Sequence, residues 1–67
     1  MKNVTKKMIE AAMEDIINFG ETYIGSTEIM GDKFVCAKYN KLAKEVENRF
    51  PGMVLAFDIE SGNAWLA

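Results

Sequence analysis

The chain contains no histidine and a single cysteine, Cys36. Without histidine it lacks the side chain best suited to proton transfer near neutral pH and the commonest metal ligand. A lone cysteine forbids an internal disulfide, and one thiol without imidazole cannot complete a tetrahedral zinc site. No apolar run approaches the ~20 residues that span a bilayer. The start, Met1-Lys2-Asn3-Val4-Thr5-Lys6-Lys7, is basic but leads into Glu10, Glu14 and Asp15. A secretion signal would hold an unbroken apolar centre there, so the sequon Asn3-Val4-Thr5 lacks the context that would make it meaningful. A cytoplasmic chain with no membrane partner is expected. Charge of one sign is lacking too. Eight Lys and Arg face ten Asp and Glu for a net −2, spread along the chain, unlike a basic nucleic-acid arm or an acidic tail.

What is present is one small domain, residues 1–67. Apolar residues make up 49% of it, an ordinary share for a folded chain. A domain near this size buries only about 60% of the surface its unfolded chain exposes. With neither disulfide nor metal to help, packing and association must supply the rest. A partner is therefore expected, either another protein or a second copy of this chain.

Two helices are legible. Over residues 5–19, Met8, Ile9, Ala12, Met13, Ile16 and Phe19 recur at the spacing of one helical face. Thr5 or Asn3 supplies the N-cap, and Gly20 is placed to end the helix. The second runs from Asp32, read as its N-cap, to Phe50, where Pro51 stops it. Val35, Tyr39, Leu42, Val46 and Phe50 line one side, with Ala43 at the margin. Lys38, Lys41, Lys44 and Arg49 project around the other, with Glu45 among them.

The tail from Met53 to Ala67 reads as a β-hairpin. Met53, Leu55, Phe57 and Ile59 alternate with Ala56, Asp58 and Glu60, and Ser61-Gly62 reverses the chain. A three-residue loop, Glu60-Ser61-Gly62, with Gly62 left-handed would set Phe57 opposite Trp65, an aromatic pair that favours this register. An isolated hairpin is marginal in water, so it must pack on the helices or gain a third strand, for which Thr22–Ile24 is the candidate. Residues 26–31 read either as a short helical turn capped by Ser26 or as extended chain. The expected fold is α+β, two amphipathic helices packed on a C-terminal hairpin.

With a strand at 22–24 and a short helix at 26–31, the element order resembles that of a winged helix. That resemblance implies DNA binding through Lys38, Lys41, Lys44 and Arg49 on phosphates. The second helix carries five of the eight positive charges, and phosphate neutralisation dominates such binding. The hairpin that would be the wing, however, offers Asp58 and Glu60 and no cation. A solvated helix face explains the lysine stripe as well, and the DNA-binding regulator stands second.

Catalytic chemistry finds no motif. Cys36 has no histidine to activate it and reads as a buried structural cysteine. Asp58 and Glu60 share a strand face without the surroundings general acid work needs. Ser61-Gly62-Asn63 is a turn and no nucleophile elbow, and Gly20, Gly25 and Gly31 form no phosphate loop. Neither a cofactor nor a metal is expected.

The leading expectation is a non-catalytic interaction module, an adaptor, inhibitor or regulatory accessory of the short kind common in bacteria and their phages. Its contact residues are expected to be Lys38, Lys41, Lys44, Glu45 and Arg49 on the helix with Asp58, Glu60 and Trp65 on the hairpin. Trp65 reads two ways: structural if it covers the sheet, a docking residue if it stands at an open edge. The C-terminal strand is expected to leave an edge free for strand addition.

Overall fold

The computed structural model describes residues 4–26 and 31–67. Helix α1 (Lys6–Phe19) begins where Thr5 Oγ1 accepts from the Met8 backbone N–H at 3.2 Å and ends at Gly20, whose φ of 87° is left-handed. The chain then enters β1 (Glu21–Tyr23). Helix α2 (Asp32–Arg49) follows, and β2 (Leu55–Asp58) and β3 (Asn63–Leu66) close the fold. The result is α+β, as the periodicities predict, and the third strand is present. The short helix expected over 26–31 falls, apart from its two ends, outside the described residues, as do Asn3 and Met30.

Strand order is β1-β3-β2, antiparallel throughout. This overturns one expectation. The C-terminal strand is the centre of the sheet, paired on both sides, and has no free edge for strand addition. The edges belong to β1 and β2. The ladder of β2 with β3 continues one step outside the strands, where Val54 and Ala67 exchange both backbone hydrogen bonds.

The hairpin register also differs from the expected one. Asp58 pairs with Asn63, so the loop has four residues, and Phe57 faces Ala64 while Trp65 faces Ala56. The cause is the Asp58 carboxylate. One oxygen accepts from the Glu60 N–H at 3.2 Å, the other from Ser61 Oγ at 3.0 Å, and the Gly62 N–H closes onto the Asp58 carbonyl at 2.8 Å. A side chain that mimics a backbone turn absorbs the extra residue. Ile59, expected on the inner face, consequently stands in the loop, 57% exposed. Phe57 finds its aromatic partner on α2 instead, with ring centroids 5.8 Å from Tyr39.

The helices cover one face of the sheet. The core joins Ile9, Ala12, Met13 and Ile16 of α1 to Val35, Leu42 and Val46 of α2, with Ile24, Leu55 and Ala64 from the sheet side. Thr22 is buried among them and donates to Asp15 Oδ2 at 3.2 Å. Two helix-end expectations are corrected. Phe19 keeps the three-residue step from Ile16 but is 78% exposed, as the last residue of α1 before the chain turns away at the left-handed Gly20. Gly31, with φ of 83°, takes the N-cap position of α2, and Asp32 is its first residue. The backbone there needs a conformation that favours glycine, and the Asp32 charge still suits the helix dipole.

Adjacent residues of α2 reach opposite edges of the sheet. Tyr39 donates its hydroxyl to the Leu55 carbonyl of β2 at 2.8 Å, and Lys38 Nζ donates to the Tyr23 carbonyl of β1 at 3.4 Å. In an antiparallel pair the backbone groups alternate in direction. The bonded positions on β3 put both carbonyls on the outward side of their strands. Tyr39→Phe removes one of these contacts while keeping the ring against Phe57. We expect a loss of about 1 kcal/mol in urea unfolding; an unchanged midpoint would show that water replaces the hydroxyl at no loss.

Candidate functional site

The expected contact residues fall into two groups that the fold does not unite. On α2, Lys38 is half-buried at the β1 edge, and this burial pushes its ammonium below its ordinary pKa, with the Asp15 carboxylate opposing the shift. Arg49 Nε lies 2.7 Å from Glu45 Oε1 in an i,i+4 pair. Lys41 is exposed and donates to the Val4 carbonyl at 3.2 Å. Three of the four cations expected to reach a partner are therefore held by this chain's own oxygens, and Glu45, itself expected at the contact, is the one that engages Arg49.

The outward side of α2 is set by helical spacing from the buried Val35, Leu42 and Val46. Lys33, Asn40, Lys41, Lys44 and Asn48 occupy it, all exposed. Cys36 is exposed as well, contrary to its reading as a buried residue. It lies one position off the buried stripe of Val35, Leu42 and Val46. Beside this helix lies an open groove of about 370 Å3, lined by Tyr39, Ala43, Lys44, Met53, Val54 and Leu55 among others. Its floor is apolar and its rim carries Asn40, Lys44 and Glu47; the ion pair among the described residues lies elsewhere on the helix, between Arg49 and Glu45.

The hairpin group belongs to the sheet's uncovered face. Because strand side chains alternate, the register puts Glu21, Trp65 and Ala56 in one row and Tyr23, Asn63 and Asp58 in the next. Val54 continues the face beside Ala67. Tyr23 is 50% exposed, Val54 64% and Trp65 38%. Trp65 is thus neither buried cover nor edge residue; it stands at the middle of an open face. Asp58 flanks it while holding the turn, and Glu60 is exposed within that turn.

Sequence reasoning missed Glu21 and Val54 as members of this surface. The alternation in β1 spans three residues, too few to show which side is buried, and Val54 reads as one more apolar residue in an apolar run. Among the described residues no cluster of three or more Cys, Asp or Glu could hold a metal ion, and no helix is long and apolar enough to cross a membrane. Every buried side-chain nitrogen or oxygen among them has a hydrogen-bond partner. No family model, no curated protein and no solved structure matches this chain.

Proposed function

We propose that the protein is a non-catalytic interaction module that docks another protein on the outer face of its sheet. One observation carries this reading: Tyr23, Val54 and Trp65 are exposed together on the face turned away from the helices. A small domain has few aromatics to spare from its core, and aromatic side chains in the middle of a patch dominate binding energy at interfaces. The satisfied buried polar groups and the absence of an acid–base constellation among the described residues fit recognition better than turnover.

A second reading has its own observation. The described elements α1, β1, α2, β2, β3 follow the order of a winged helix apart from its short middle helix, which would fall at 26–31, and α2 turns Lys33, Asn40, Lys41 and Lys44 outward. These are residue types that contact phosphates and base edges. Asp58 and Glu60 at the hairpin tip oppose it, since a wing approaching DNA would bring carboxylates towards phosphate.

Affinity capture from a nuclease-treated native lysate separates the two. A protein retained in stoichiometric amount by the native chain should be lost from Trp65→Ser, with a weakening of about 2 kcal/mol or more. It should be kept by the double variant Lys41→Gln, Lys44→Gln. The opposite pattern, or recovery only without nuclease, would give the DNA reading first place.

A further inference from the structure

The rows of the outer sheet face specify the partner's chemistry, an inference that rests on the docking reading above. The centre of the face is aromatic and its margins are anionic. Trp65 lies between Glu21 on β1 and Ala56 on β2, and Tyr23 shares the next row with Asp58. Directly opposed strand residues hold their Cβ atoms about 5 Å apart, so a group laid on the Trp65 indole is within reach of the Glu21 carboxylate.

Among the described residues no ion pair engages either margin, and the cation that reaches the β1 edge, Lys38, is held on the Tyr23 carbonyl. The described Lys and Arg residues all lie on α1 and α2, and the sequence has none in β1 or from Phe50 to Ala67. The ion pair among the described residues joins Arg49 to Glu45 on α2. Asp58 accepts from the neutral Glu60 N–H and Ser61 hydroxyl, contacts that leave its negative charge in place.

We propose that this face binds a cationic, extended protein segment, with an arginine stacked on Trp65 and paired with Glu21 and a second cation between Tyr23 and Asp58. Arginine fits both parts of the site. Its planar cation is drawn to an indole face, and its fork matches a carboxylate. An uncharged partner would strip water from Glu21 and Asp58 and return no pairing. A second copy applied face to face would add the same carboxylates and no cation, and like charges brought together oppose association. Nucleic acid would be repelled.

Trp65 is the sole tryptophan, so its emission reports on the site directly. The full chain is titrated at low salt with a blocked peptide of alternating arginine and leucine. Parallel titrations use peptides carrying glutamine or glutamate in place of arginine. The expected result is a saturable change with the arginine peptide alone, weakening as salt rises. Glu21→Gln, an exposed edge substitution, should weaken it about two- to fivefold, with thermal unfolding as the check that the variant is folded. Lys44→Gln on α2 should leave it unchanged. No response to millimolar arginine peptide, or equal binding of the glutamine peptide, overturns the cationic assignment. The glutamine result would still leave the face a docking surface. The docking reading itself fails if Trp65→Ser captures the same partner as the native chain, or if capture depends on nucleic acid.

Discussion

Gly62→Ala is expected to unfold the domain or bring it close to unfolding at ambient temperature. Gly62 is buried with φ of 80°, and a Cβ there would meet Tyr23 Cε1 at 2.7 Å and the Gly25 carbonyl carbon at 3.0 Å. The Tyr23 ring could swing away, but the Gly25 backbone cannot. It is fixed by the Ile24 and Gly25 N–H groups, which both donate to the Gly62 carbonyl at 2.7 and 3.3 Å. The left-handed conformation alone costs about 1–2 kcal/mol for a residue with a Cβ, and overpacking adds about 1–3 kcal/mol. A chain of this length has a total stability of only about 3–10 kcal/mol. Gly20→Ala is the control. Its φ of 87° is similar but nothing lies within 4 Å of the added Cβ, so that variant should lose only the conformational part. Urea unfolding of the pair isolates the contact; equal losses would refute it.

Leu42→Ala is expected to cost about 3 kcal/mol, within the range for emptying a packed leucine site. Leu42 is fully buried in α2, on the same face as Val35 and Val46. Alanine is the better helix former, so any loss measures packing and not helix propensity. The core has little to replace it. Ten apolar residues are buried among those described, and two of them, Ala12 and Ala64, are alanines. The variant should show a lower urea midpoint and broadened side-chain signals in NMR. A loss below about 1 kcal/mol would mean that α1 and α2 close over the cavity, an adaptability this small core is not expected to have.

Local signals made much of this fold legible. Gly20 ends α1, Pro51 follows the end of α2, and apolar periodicity places Ile9, Met13, Leu42 and Val46 inside. Each depends on backbone sterics or on a face a few residues long. Pairing across the sheet was not legible to the same degree. The Asp58 carboxylate that lengthens the hairpin loop competes with an aromatic pairing of Phe57 and Trp65, and the sequence weighs neither against the other. Tyr39 adds to the Asp58 turn from another element, offering Phe57 a ring. The central place of β3 likewise depends on a three-residue strand too short to advertise its own register.

The candidate site divides in the same way. Trp65 stands out from the sequence alone, but its neighbours Glu21 and Tyr23 arrive from more than forty residues upstream and join it only through strand pairing. The lysine stripe looked free because a sequence shows no acceptors. Folding supplies them in the Tyr23 and Val4 carbonyls.

The two carbonyl contacts made by Lys38 and Tyr39 bear on what this protein can mistake for its partner. Unpaired strand margins adhere to almost any stretched polypeptide, since amides are common to all sequences. Here one turn of a helix occupies an outward carbonyl on each margin, while the broad side of the sheet stays accessible. Encounters are thereby directed from the generic part of a foreign chain to its individual residues, and discrimination becomes a matter of which side chains a visitor carries.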